Sequence, residues 1–194
     1  MSSVRRLLLS LAVPVAMAGA ACGYPPDKEM QQAQGAIDAA RAAGADQYAR
    51  DEFTAAEDAL RRARDAVVQR DYRQALNNAL DARERALAAT KEATDRKATA
   101  RVAAEHALGE ANVALNQSRT KLKAAETAHA PPKALSAGRR AIGDAEIAVQ
   151  KARTTFLQGD YLVSVDAAGS AATRLRAATR DLDAAMTAAG RRRR

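Results

Sequence analysis

Alanine residues recur at steps of three and four along most of this chain, and this spacing restricts the fold more than any other feature. Two of the runs are Ala75, Ala79, Ala82, Ala86, Ala89 and Ala93, and Ala100, Ala104, Ala107, Ala111 and Ala114. Such steps average 3.5 residues, the repeat of a helix packed lengthwise against a partner helix. The 194 residues include 52 alanines and no Trp, whereas strands favour β-branched and aromatic side chains. The pattern predicts an all-α fold, an elongated antiparallel helical bundle or coiled coil.

The chain also contains an internal repeat. Residues 52–89 align without gaps with residues 141–178, at an offset of 89. The matched positions include two turns, Asp71-Tyr72 and Asp160-Tyr161. A repeat of this length indicates two copies of one supersecondary unit. Each copy is predicted to hold a short first helix, a loop, a second helix, a turn at the Asp-Tyr pair and a third helix.

A single long helix is predicted to join the two copies, because no proline interrupts residues 72–128. This helix has about 57 residues and is roughly 85 Å long at 1.5 Å per residue. Gly44 and Gly159 are predicted to end helices in the left-handed conformation, and Asp46 to cap the helix that follows Gly44. The first Asp-Tyr turn has Arg70 in place of a glycine.

Large apolar residues are few for a chain of this length. The candidates for the core are Ile37, Phe53, Leu60, Val67, Tyr72 and Leu80 in the first copy, and Leu122, Ile142, Val149, Phe156, Tyr161, Leu175 and Leu182 in the second. A buried methyl group contributes about 0.8 kcal/mol, whereas ordering one residue costs about 1 to 2 kcal/mol. We therefore expect a marginally stable monomer that gains apolar contact by self-association, or from a protein partner, through its Ala-rich faces.

The N-terminal segment has the layout of a secretory signal peptide. Arg5 and Arg6 precede an apolar run from Leu7 to Ala20. This run of about 14 residues is shorter than the roughly 18 to 20 residues that span a bilayer. Residues 1–21 are therefore predicted to be cleaved. Residues 22–27 then form a cysteine and a proline tether, and two helical repeats follow at residues 28–112 and 113–189.

The only cysteine lies at the end of the apolar run. Ala20-Ala21-Cys22-Gly23 resembles the lipobox of bacterial lipoproteins, which implies a lipid on the Cys22 thiol and a membrane anchor. By the same resemblance, Gly23 in place of Asp implies the outer membrane, facing the periplasm. Gly19 departs from the aliphatic residue that the lipobox pattern prefers. The alternative is cleavage after Ala18 or Ala20, which leaves Cys22 as a free thiol.

The order of these features is similar to one known family. Cys22, the Pro25-Pro26 tether, a small helix at residues 33–43, Ala-spaced helices and the Asp71-Tyr72 turn resemble the bacterial lipoprotein family called domain of unknown function 4398. The resemblance implies an exported, helical protein and carries no enzymatic activity with it.

Positive charge is concentrated at the C-terminus. The sequence has 31 Lys and Arg against 23 Asp and Glu, a formal net charge of +8. Residues 190–194 form a polybasic tail in which Gly190 is predicted to end the last helix. The tail's side chains are suited to phosphate-rich surfaces such as envelope lipid head groups, the alternative being a solubilising end; they are Arg191, Arg192, Arg193 and Arg194.

Residue patterns that indicate catalysis or metal binding are sparse. His106 and Glu110 lie one helical turn apart, and two ligands do not complete a metal site. Glu126 and His129 resemble half of the di-iron motif of four-helix bundles, which requires the motif twice. We therefore predict no catalytic residue, no metal site, no cofactor and no nucleic-acid partner. Tyr72 and Tyr161 are interpreted as packing residues at the two turns.

These features predict a non-enzymatic exported lipoprotein. It would act as a periplasm-facing helical scaffold or interaction module of the bacterial cell envelope. The alternative function is a periplasmic helical bundle that binds a small molecule or a metal ion in its interior.

Overall fold

The computed structural model describes residues 24–192, of which 91% are helical, and this range contains no strand. The predicted all-α class is therefore confirmed. The helices are α1 (Asp27–Ala42), α2 (Ala45–Tyr48), α3 (Arg50–Val68), α4 (Tyr72–Thr127), α5 (Pro132–Gln158) and α6 (Tyr161–Arg192).

Helix α4 is 56 residues long and contacts every other helix. It ends one residue before the end predicted for the long shared helix. Asp71 caps its first turn by accepting a hydrogen bond from the backbone N–H of Gln74 at 2.9 Å, which satisfies one of the unpaired donors at a helix start. The long helix predicted from the absence of proline is therefore confirmed.

The N-terminal half of α4 packs with α1 and α3. Helix α3 runs antiparallel to α4, because Arg62 pairs with Asp81 at 3.3 Å and Glu52 pairs with Arg85 at 3.4 Å. Helix α1 is antiparallel to α3 and therefore parallel to α4. We call this three-helix bundle the first unit.

The C-terminal half of α4 packs with α5 and α6, and these three helices form the second unit. Helix α5 is antiparallel to α4, because Glu126 pairs with Arg139 and Arg119 pairs with Glu146. Helix α6 runs parallel to α4, as two further ion pairs show: Glu110 with Arg176 and Lys121 with Asp183. The two units therefore have the same arrangement, in which the middle helix is antiparallel to the other two.

Alanine fills the seam between the helices. The seam residues of α4 in the first unit are fully buried: Ala75, Ala79, Ala82, Ala86, Ala89 and Ala93. Small side chains let helix backbones approach toward the short end of the usual 8 to 10 Å separation. Within the described residues, the Ala-rich faces of α4 are thus covered by the chain's own helices.

Two buried serines interrupt the apolar seam of the second unit. The Ser118 hydroxyl donates to the carbonyl of Leu175 at 3.1 Å, and the Ser164 hydroxyl donates to the carbonyl of Ala152 at 2.9 Å. Both serines are 0% exposed. Their hydroxyls are satisfied by helix carbonyls, as buried polar groups usually are.

Several local predictions were wrong. Leu80 is 45% exposed, because its neighbour Ala79 faces the seam and adjacent helical positions differ by about 100°. Asp46 lies within α2, and no side chain caps α2 or α3. Gly190 does not end α6, which continues to Arg192. The tether is shorter than predicted, because α1 begins at Asp27.

Candidate functional site

The residues predicted to contact the cell envelope belong to the two chain ends. Cys22 lies outside the described residues, as do Arg193 and Arg194. Arg191 is exposed in the last turn of α6, and Arg192 is the final residue of that helix.

The described N-terminus and the described C-terminus lie at opposite ends of the molecule. Arg83 of α4 donates to Gln32 of α1 at 3.3 Å, which places the start of α1 near the start of α4. The Lys121–Asp183 ion pair places the last residues of α6 beyond the end of α4. The separation of the two ends along α4 is about 80 Å at 1.5 Å per residue.

We call the end of the second unit beyond the Lys121–Asp183 pair the distal tip, residues 122–143 and 184–192. A small apolar cluster orders the tip: Ala125 and Ala130 are buried within it, and Leu182 is buried next to it on α6. Leu122, Leu135 and Met186 pack around these three residues. The tip is therefore a folded surface formed by three helices.

The distal tip carries most of the protein's net charge. It has six Lys and Arg against one acidic residue, Glu126. Arg139 neutralises that carboxylate in an ion pair of 2.6 Å, while Lys123, Lys133, Arg140 and Arg191 are exposed. By contrast, residues 22–121 and 144–183 contain 21 Lys and Arg against 22 Asp and Glu. The charge asymmetry thus coincides with the long axis.

The two predicted turns have the same backbone geometry. After α3, the N–H groups of Arg70 and Asp71 donate to the carbonyls of Val67 and Ala66, each at 2.9 Å. After α5, Gly159 and Asp160 donate in the same way to Phe156 and Thr155. This bond pattern is the Schellman motif that ends many helices. Asp71-Tyr72 and Asp160-Tyr161 therefore lie at equivalent positions in the two units.

The second turn also contacts the first unit, through a residue that the sequence interpretation missed. Tyr48 of α2 is 5% exposed, and Tyr161 packs against the core cluster that contains it. Arg96 of α4 donates to the Tyr48 carbonyl at 3.1 Å, and the Tyr161 ring lies 5.3 Å from that of Phe156. We call this region the junction. The sequence did offer a signal for the burial of Tyr48, because it is an aromatic residue in a segment otherwise rich in alanine.

The Tyr48 hydroxyl oxygen is buried without a hydrogen bond of good geometry to any described residue. Burial raises the pKa of Tyr48 above its usual value of 10.0, and the nearby backbone N–H of Tyr161 opposes that change only in part. The hydroxyl is therefore neutral at physiological pH.

The polar groups considered for metal binding are ordinary surface pairs. His106 Nδ1 lies 3.8 Å from Glu110 Oε1, and Arg176 donates to the other oxygen of Glu110 at 2.9 Å. This hydrogen bond holds the pKa of Glu110 below its usual value. His129 lies past the end of α4 with φ +55°, so it does not share a helical face with Glu126. The described residues contain no group of three or more His, Cys, Asp or Glu placed to hold a metal ion.

Equivalent surface grooves of the two units differ in chemistry. The groove between α3 and α4 is lined by charged residues, including Glu52 and Arg85. Its counterpart between α5 and α6 is lined mainly by small residues, including Ala137 and Ala141. The two copies have therefore diverged on their surfaces while keeping one arrangement.

None of the helices in residues 24–192 is both long enough and apolar enough to cross a membrane.

Comparison with known proteins identifies one family. The family described as Domain of unknown function (DUF4398) matches residues 28–107, which comprise the first unit and part of the C-terminal half of α4. No curated protein and no solved structure matched the chain significantly. Residues 28–107 of this chain are therefore similar to the family called domain of unknown function 4398.

Proposed function

We propose that this protein is a non-enzymatic lipoprotein of the bacterial cell envelope that acts as a helical scaffold. Cys22 would carry the lipid after removal of residues 1–21 and hold the protein in a membrane. The expected site is the outer membrane, with the protein facing the periplasm. The helical units would then hold or space a partner in the envelope.

One structural observation chiefly supports the scaffold role. Helix α4 takes part in both units, so no flexible linker separates them. The start of α1 and the end of α6 lie about 80 Å apart along this helix. Such a chain keeps a fixed distance between whatever holds its N-terminus and whatever contacts its C-terminus.

Metabolic palmitate labelling tests the anchor. We expect the wild-type chain to be labelled and to sediment with membranes, and Cys22→Ser to lose both properties. Gly23→Asp is the matched control, because it keeps the thiol and changes only the residue that the lipobox resemblance links to sorting. Membrane association of Cys22→Ser equal to that of the wild type would refute the lipid anchor.

The scaffold role requires a partner, and self-association is part of the proposal. Crosslinking of the anchored protein in intact envelopes, followed by purification, should recover one protein reproducibly, or a second copy of this chain. Sedimentation of the purified chain should show concentration-dependent mass in the second case. Recovery of neither would contradict a scaffold that works through protein contacts.

A further inference from the structure

The distal tip has a net positive charge, whereas the N-terminal end of the molecule has no net charge. At the N-terminal end, residues 24–34 and 64–79 contain four Lys and Arg against four Asp and Glu. The distal tip contains six against one. The body between them is close to neutral. An anionic surface therefore attracts the protein at the tip and not along its length.

We propose that the distal tip binds an anionic phospholipid surface other than the membrane that holds Cys22, so that the protein bridges two surfaces. This inference rests on the proposed anchor at Cys22. Four residues, 23–26, separate that cysteine from α1, so the lipid would hold the N-terminal end close to its membrane. The distal tip then lies about 80 Å away, far beyond the Debye length of about 8 Å at physiological ionic strength.

Three helices contribute exposed basic side chains to the tip. Lys123 near the end of α4, Lys133 and Arg140 near the start of α5, and Arg191 at the end of α6 are all exposed. None of these four makes an ion pair within the described residues. Their charges are therefore available for phosphate groups, which Lys and Arg bind through charge-assisted hydrogen bonds.

Vesicle tethering tests the bridge directly. The chain from residue 22 is coupled through the Cys22 thiol to a maleimide lipid in neutral phosphatidylcholine vesicles. A second, fluorescent vesicle population contains phosphatidylglycerol. We expect vesicles of the two populations to cluster, and clusters to disperse at 1 M salt, where the Debye length falls to about 3 Å.

A charge-matched pair of variants locates the contact. The tip variant combines Lys123→Gln, Lys133→Gln, Arg140→Gln and Arg191→Gln. The control variant removes four exposed charges elsewhere: Lys28→Gln, Arg73→Gln, Lys91→Gln and Lys151→Gln. We expect the tip variant to lower tethering at least about tenfold, given the attraction of each basic residue to anionic lipid, and the control to keep it. Circular dichroism verifies that both variants remain helical.

Other outcomes overturn the inference. Equal clustering with purely neutral vesicles, equal loss in both variants, or binding to purified cell-wall sacculi without tethering would each refute lipid binding by the tip. Because the coupling is chemical, the assay does not depend on lipidation in the cell. Absent palmitate labelling with successful tethering would refute the proposed anchor alone, and labelling without tethering would refute the bridge alone.

Discussion

Arg70 and Gly159 occupy equivalent positions in the two turns but differ in backbone cost. Both are left-handed, with φ +60° and φ +86°. A residue with a Cβ pays about 1 to 2 kcal/mol for this conformation, which glycine avoids. The glycine was recognisable in the sequence as a helix stop. The arginine was not, because nothing in its side chain favours this conformation.

Exchanging these residue types should change stability in opposite directions. We expect Arg70→Gly to raise the free energy of unfolding by up to about 1 kcal/mol, since the relief of strain is offset in part by the greater freedom of the unfolded chain. Gly159→Ala should lower it by about 1 kcal/mol. Urea denaturation measures both, with Arg70→Ala as a control that keeps the strain. A destabilised Arg70→Gly would contradict this explanation.

Tyr48 couples the junction to pH. Its pKa is raised in the folded protein. The stability that the neutral phenol contributes to folding is therefore fully present below the unfolded value of about 10 and is lost as pH rises above it. We expect Tyr48→Phe to unfold at equal or higher urea concentration than the wild type at neutral pH, since a buried unpaired hydroxyl is costly.

The advantage of Tyr48→Phe should then grow as the pH rises above 10. Tyr24→Phe, which alters a residue 93% exposed, should follow the wild type at every pH. Parallel stability curves for Tyr48→Phe and the wild type would show that the phenol does not titrate in the junction.

Among the elements, α4 was predictable almost to the residue. Asp71 supplies a cap at its start, and Pro131-Pro132 prevents its continuation into α5. The alanine spacing identified the buried face of α4 directly, because the seam alanines form a single stripe with helical periodicity. Leu80 was misplaced because we expected a large apolar residue to be buried. The alanine methyl groups already fill the seam, so a larger residue outside it has no place in the core.

The seam should tolerate larger side chains poorly. We expect Ala86→Leu, at a fully buried position, to destabilise the chain by about 1 to 3 kcal/mol, because the extra atoms overpack the contact between helices. Ala98→Leu is the matched control at an exposed position of the same helix, with an expected change within about 0.5 kcal/mol. Urea unfolding compares them, and equal effects would mean that the seam is loosely packed.

At the scale of the whole molecule, the order of the units followed from the repeat, but the junction between them did not. Periodicity describes one helix face at a time, and Tyr48 meets Tyr161 only after both units have folded along α4. The distal tip was likewise visible only in part. Arg191 and Arg192 stand out in the sequence, whereas Lys123, Lys133 and Arg140 join them through the topology.

An extended shape should be measurable in solution. For the chain from residue 22 with Cys22→Ser, we expect X-ray scattering to give a maximum dimension of at least about 80 Å. The radius of gyration should clearly exceed the roughly 16 Å of a compact domain of this length. A compact value would mean that the two units fold back on each other.

Continuity of α4 through both units also restricts how this protein changes during evolution. Each residue inserted near its middle would turn one unit relative to the other by about 100° and advance it by about 1.5 Å. The Tyr48–Tyr161 junction would not survive such a rotation. Seven inserted residues restore the orientation of the units to within about 20°, although they also move Tyr48 and Tyr161 about 10 Å apart along α4. Homologues with a longer span are therefore expected to differ by whole heptads, each adding about 10 Å.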